Sequence, residues 1–243
     1  MAKFFAFEAA DTVGSEDLIP YNPGFASPVG SSYSFWFVDN PVPTEYYVFN
    51  SDSPLTGPVF PGSITSWARF ESFQPFSPTN IGAGDVKEAW KADSGDTYST
   101  NDLLTMIYKP DPATPGFTGF TYQDLEQFWF GANDRIHGSE EGDMLCGWAG
   151  NDKMWGNGGN NKFYFGQGMD KDKIMDFSKA NDDLYLDEDF ASTFKQLKKM
   201  VTYNVNKNIT KIKDGGDVLK VYGIDTQKEL KSVVHFDDFT DFA

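Results

Sequence analysis

The sequence predicts an all-β-dominated chain in three parts. An aromatic- and Pro-rich antiparallel β domain covers residues 1–120, a short coil of parallel strands covers 121–188, and an α/β cap covers 189–243. Three observations carry this. All 13 prolines lie between Pro20 and Pro115, so the chain changes character near residue 120. Short aromatic and β-branched runs bounded by Gly, Pro, Asn and Asp fill the first part, as strands separated by turns do. Five consecutive nine-residue units then run from Trp129 to Lys173. A period of nine cannot keep one face of a helix apolar. It does suit a half-turn made of a six-residue loop and a three-residue strand, with eighteen residues closing one coil.

The strand-like runs of the first part are Ser32–Val38, Tyr46–Asn50, Ser63–Phe70 and Leu103–Tyr108. The stretch Tyr33–Val38 carries apolar side chains on both faces, which suits a strand buried on both sides or meeting a second copy. That is the main hint of self-association. The aromatics of this part, Trp36, Tyr46, Tyr47 and Trp67 among them, read as core before they read as a face for surface glycans. Asp85–Lys91 reads as one or two helical turns. Tyr122–Phe130 reads as a short helix that leads into the repeats with Leu125, Phe128 and Trp129 on one side.

Each repeat places a carboxylate, or one amide, two residues before an inward-type position. The series is Asp134-Arg135-Ile136, Asp143-Met144-Leu145, Asp152-Lys153-Met154, Asn161-Lys162-Phe163 and Asp170-Lys171-Asp172, and only the fifth breaks the apolar pattern, with Asp172. Glycines crowd the positions before the carboxylate, where they allow turns and inward carbonyls. Such an oxygen supply suits a hard cation of about six to eight ligands, Ca²⁺, whereas zinc prefers nitrogen or sulfur. Carboxylates two units apart stack one strand spacing apart, roughly 4.8 Å, and repel one another unless a cation lies between them. The expected stacks are Asp134, Asp152 and Asp170 on one edge, and Asp143 and Asn161 on the other. Gly131, Gly147, Gly150, Gly156, Gly159 and Gly168 are expected to supply carbonyls or turn geometry, and Glu140 is a further acidic candidate. A run of Gly-Asn-Asp turns without metal is the competing reading.

At this point the segment resembles the RTX, or hemolysin-type, calcium-binding nonapeptide family, whose repeat is Gly-Gly-x-Gly-x-Asp-x-hydrophobic-x. The best copy is Gly147-Trp148-Ala149-Gly150-Asn151-Asp152-Lys153-Met154-Trp155. The copy from Gly138 departs at its fourth position, and the copy from Gly156 has Asn161 where the aspartate belongs, which implies a weaker or empty site. The endings Asp172-Lys173-Ile174-Met175-Asp176-Phe177 and Asp182-Asp183-Leu184-Tyr185-Leu186 look like those that follow such arrays. The resemblance covers about residues 125–243. It implies a β-roll, and export of the bacterial type I kind through an uncleaved C-terminal signal, with calcium completing folding outside the cell. The acidic, aromatic tail Val233–Ala243 looks like such a signal, so the type I secretion machinery is an implied partner.

Beyond the array, Phe190, Phe194, Leu197 and Val201 are spaced as on an amphipathic helix. Ile209–Lys213 and Val218–Tyr222 flank Asp214-Gly215-Gly216-Asp217, a hairpin signal. Thr226 followed by Glu229 reads as a capping box that opens a helix burying Leu230, Val233 and Val234. These elements make a cap, which two and a half coils require.

Composition sets further bounds. The net charge is −16, and residues 1–150 hold most of it, with 6 basic and 20 acidic side chains. That balance argues against nucleic acid, which needs a basic face. No apolar run approaches the length of a membrane span. The acidic N-terminus, Met1–Asp11, does not read as a cleaved leader. The single Cys146 allows no intrachain disulfide. The 2 histidines, His137 and His235, form no His-Glu-x-x-His motif, and no Gly-x-Ser-x-Gly elbow or phosphate-cradling loop occurs. The sequence therefore favours a secreted calcium-binding protein with a structural, self-assembling or adhesive role at the cell surface or in extracellular matrix. A secreted enzyme, polysaccharide-active for example, or a soluble effector using the roll as folding and export module is the alternative.

Overall fold

The computed structural model describes residues 127–237 in full and, before them, the backbone of β1 (Ala2–Ala6), β2 (Gly24–Phe25), β3 (Ser32–Trp36), β4 (Glu45–Ser51), β5 (Ser63–Glu71), β6 (Asp85–Lys91) and β7 (Tyr98–Ser99). β2 to β6 pair antiparallel in chain order, and β1 pairs antiparallel with β6. Asp85–Lys91 is thus a strand and not a helical turn. β1 and β5 take up its backbone groups from both sides, and ladder pairing overrides weak local periodicity. The expected strand Leu103–Tyr108, the start of the helix expected from Tyr122, and the tail beyond Asp237 lie outside the described residues. Gln127–Trp129 is helical.

The repeats form β8 (Asp134–His137), β9 (Met144–Cys146), β10 (Lys153–Trp155), β11 (Lys162–Phe165), β12 (Lys171–Ile174) and β13 (Asp183–Asp187). β8, β10 and β12 lie side by side in one parallel sheet, and β9, β11 and β13 in another. The chain crosses between the sheets at every loop, as a β-roll does. Strand alternation explains the core. Ile136, Met154 and Ile174 from one sheet, with Leu145, Phe163 and Leu184 from the other, are all 0% exposed. Full burial of such a side chain contributes roughly 1.5–3 kcal/mol.

The cap comprises α1 (Phe194–Leu197), β14 (Val201–Asn204), β15 (Ile209–Asp214), β16 (Asp217–Tyr222), α2 (Gln227–Val233) and β17 (Val234–Asp237). β16 pairs parallel with β12, and β17 with β13, so the first sheet continues into three cap strands, β16, β15 and β14, and the second into one. β1 flanks β8 on the opposite side of the first sheet. The β15–β16 hairpin forms as its Asp-Gly-Gly-Asp signal predicts. Thr226 Oγ1 accepts the Glu229 N–H and starts α2, which buries Leu230 and Val233. The helix expected over Phe190–Val201 is only one turn long. Val201 opens β14 instead, where antiparallel pairing with β15 takes its backbone bonds.

Candidate metal centre

The stack of acidic side chains follows from the ladder register. β8 and β10, like β9 and β11, are offset by 18 residues. The next offsets are 20 between β10 and β12 and 21 between β11 and β13. Extra residues in the later loops move the series out of its nine-residue phase. On the first edge the stack is therefore Asp134, Asp152 and Asp172, not Asp134, Asp152 and Asp170. On the second edge it is Asp143, Asn161 and Asp182. Asp170 sits in the preceding turn, exposed and with φ 54°, its N–H donating to Asp217 Oδ1 over 3.0 Å. The break in the apolar pattern at Asp172 marks a stack member.

Both edges share one bonding rule. The Oδ1 atom at each position accepts the backbone N–H of the residue one coil earlier. Asp152 accepts from Asp134 at 2.6 Å and Asp172 from Asp152 at 2.9 Å. Asn161 accepts from Asp143 at 3.0 Å and Asp182 from Asn161 at 2.9 Å. The edges differ in what the remaining atoms find. Asp143 accepts the Ser139 N–H at 2.8 Å and sits beside its hydroxyl. Asn161 Nδ2 donates to the Gly158 carbonyl at 2.8 Å and to Asp182 Oδ1 at 3.1 Å, and Asp182 Oδ2 accepts the Ser178 N–H at 2.8 Å. The amide nitrogen thus bridges a carbonyl and a carboxylate, the place a small cation would take.

On the first edge that bridging group is missing. Asp152 and Asp172 are each 1% exposed, and Oδ2 of each is buried with no hydrogen-bond partner. The position that corresponds to Ser139 is Trp148, which has no hydroxyl. Burial, and then the charge of the neighbouring Asp172, push the Asp152 carboxyl far above the usual carboxylate range. Burial does the same to Asp172. Burial raises Asp182 as well, opposed by the bonds from Ser178 and Asn161. Two buried carboxyls side by side need either protons or a cation.

The loops leave space at these oxygens. A Cβ on Gly147 would lie 2.6 Å from Asp152 Oδ2, and one on Gly138 would lie 2.5 Å from Asp143 Oδ2 and 2.8 Å from the Gly156 carbonyl oxygen. Gly150, at φ 129°, turns against the Ala132 carbonyl of the preceding coil. Unpartnered carboxylate oxygens, a cradle that only glycine leaves open and nearby carbonyls are the donor set of a calcium site. Among the described residues no three His, Cys, Asp or Glu side chains converge. Stacked carboxylates completed by backbone oxygens are the oxygen-only donor set that calcium takes.

Of the remaining sequence candidates, Gly156 and Gly159 lie in the Asn161 loop, with Gly159 at φ 75°, while Gly131, Glu140 and Gly168 are exposed. Sequence spacing left two loop-capping carboxylates unassigned. Asp176 accepts the Gly156 and Asn157 N–H groups at 2.9 and 3.0 Å. Asp217 accepts those of Gly168 and Asp170, both at 3.0 Å. Asp176 was visible within the closing motif. Asp217 was not, because it reaches the roll from the cap hairpin.

The family model of the RTX calcium-binding nonapeptide repeat (4 copies) matches residues 130–163 and, in an overlapping placement, 137–170. The search of curated proteins found no match. Among the described residues no helix is long and apolar enough to cross a membrane. The paired buried carboxylates, the glycine cradle and the matched repeats agree, and the chain carries RTX calcium-binding nonapeptide repeats over residues 130–170.

Proposed function

We propose that this chain is a secreted calcium-binding β-roll protein, exported by type I machinery, that serves a structural or adhesive role at the cell surface or in extracellular matrix. The observation that carries the reading is the buried Asp152–Asp172 pair, whose second oxygens find no protein partner. Where free calcium is scarce, the first edge holds repulsive carboxyls. Where it approaches 10⁻⁴–10⁻³ M, the range of extracellular modules, an ion offsets them. Asp134, Asp152 and Asp172, with loop carbonyls, would hold that ion, and its charge would tie adjacent coils together. Folding is then linked to arrival outside the cell. The N-terminal part, acidic and aromatic, supplies the self-associating or surface-binding element in this reading.

The test follows the full-length chain produced in its own cells, in millimolar calcium and in chelator. Retention on the cell surface, or growth of particle size with concentration, in calcium alone is the expected result. Monomeric protein released into the medium under both conditions would overturn the adhesive role while leaving calcium-linked folding intact.

A further inference from the structure

The outward face of the first sheet carries a row of cations in register. Arg135 lies opposite Lys153, Lys153 opposite Lys173, Lys173 opposite Lys220, and Lys220 opposite Lys211. Buried residues flank each along its strand, so all five share one face. Lys171 and Lys213 occupy the same face, and no outward position on these five strands is acidic. Backbone register places Lys3 of β1 opposite Arg135, and Lys91 of β6 opposite Lys3.

This arrangement runs against the composition of a chain with net charge −16. Like charges directly opposite one another on a sheet are destabilising. Among the described residues none of the five forms a salt bridge. The outward face of the other sheet compensates its charges. There Lys162 lies opposite Asp183, and His235 Nε2 is 2.9 Å from the same carboxylate. Among the described residues the row is therefore a dense cationic face with no paired acid.

A second row runs beside it. Two residues along each strand, in the same direction, stand His137, Trp155, Met175, Tyr222 and Ile209. His137 and Trp155 stack at 4.4 Å with an interplanar angle of 1°. At the cap end both rows open into a concavity of about 680 Å³, lined by Lys220, Lys211, Tyr222 and Ile209 and edged by Lys207, Thr202 and Asn204.

We propose that this face binds a linear polysaccharide bearing carboxylates, laid across the strands with its acid groups on the basic row and its sugar rings along the second, largely apolar row. The proposal deepens the adhesive reading and rests on it. Strand spacing, about 4.8 Å, is close to the length of one pyranose ring along an extended glycan, so successive acids can meet successive cations. His137 and Trp155 cover one face of each other, so the second row offers ring edges and the aliphatic Met175 and Ile209 to the apolar side of the sugar rings, while Thr202 and Asn204 offer hydroxyl and amide groups to sugar hydroxyls.

The test measures binding of full-length protein in calcium to three short probes: a polygalacturonate oligomer, a neutral cello-oligosaccharide of equal length and a single-stranded oligonucleotide. The expected result is preference for the polygalacturonate and weakening with salt. The double change Lys211→Glu with Lys220→Glu should weaken binding roughly tenfold or more and flatten the salt dependence. Lys195→Glu with Lys198→Glu, an equal charge change on α1 and its C-cap, should leave binding unchanged. Calcium-dependent circular dichroism verifies that each variant folds. If the row variant fails to fold, Trp155→Ala serves instead, with loss of affinity and an unaltered salt slope expected. Equal binding of the neutral oligomer, tighter binding of the oligonucleotide, or no binding of the acidic oligomer would overturn the proposal. A chain that stays on the cell surface in calcium yet ignores the acidic oligomer sinks this inference and spares the adhesive reading. A chain that binds the oligomer but never stays at the surface does the reverse.

Discussion

The two edges of the roll use one bonding ladder to opposite electrostatic ends. On the second edge, Asn161 Nδ2 links the Gly158 carbonyl to Asp182, and Ser139 satisfies Asp143. On the first edge, Asp152 and Asp172 meet with their Oδ2 atoms unpartnered. A neutral amide donor replaces the cation on one edge, and the other edge is left dependent on it. The proposed calcium linkage is therefore concentrated on one side of the roll, and the side is decided by two residues per loop.

Calcium removal gives the largest expected effect. Chelator should leave residues 127–237 only marginally folded, with a large loss of strand content read by circular dichroism, because two and a half coils hold little core beyond what the first edge ties together. Unchanged strand signal in chelator would mean that the carboxyls are held by protons alone.

Exchanging the edges comes next. Asp152→Asn should stabilise the calcium-free protein by about 1–3 kcal/mol, since it removes a buried carboxyl that must hold a proton or go uncompensated. The same change should weaken calcium binding by roughly 10–100-fold, the loss typical even of indirect ligand partners. Asn161→Asp should do the opposite on its edge, lowering stability in chelator and adding calcium affinity. Denaturant melts with and without calcium read both, and parallel shifts in the two conditions would break the comparison.

Two neighbouring aspartates sharpen it further. Asp172→Asn should shift the calcium midpoint as Asp152→Asn does. Asp170→Asn, exposed and at a positive φ that asparagine tolerates, should stay within about 0.5 kcal/mol of the parent, as surface changes usually do. A larger effect at Asp170 would restore the nine-residue phase over the structural register.

The smallest effect is with pH. Asp152 and Asp172 are raised, so the calcium-free folded chain keeps protons that the unfolded chain releases above about pH 4. Stability in chelator should therefore fall as pH rises from about 4 towards neutrality. Calcium affinity should rise over the same interval, because the ion displaces those protons. Melting in chelator at pH 5 and pH 7.5 checks the sign.

Much of this site was legible before any coordinates. A period of nine with glycine before each acid allows few backbones, and it pointed to the roll and to the stacked positions of Asp134, Asp143, Asp152 and the amide at Asn161. It failed where the period itself failed. Counting by nines from Asn161 lands on Asp170, while the longer loop puts Asp172 against Asp152, and the local sign of it was an acid at Asp172 where the pattern calls for an apolar residue. The one-turn α1 and the strand at Asp85–Lys91 were misread for a related reason, since apolar spacing in a short window is ambiguous until a partner strand claims the backbone.

Local chemistry alone determined that glycine-lined turns would present oxygen donors to a hard divalent ion, because those properties belong to single loops of a few residues. Tertiary structure decided which oxygens meet, which edge an amide already neutralises, and that lysines scattered from Lys153 to Lys220 line up on one face. Those outcomes depend on ladder offsets between strands about eighteen to twenty-one residues apart, and an offset is set by how loops close and cores pack, which no single segment encodes.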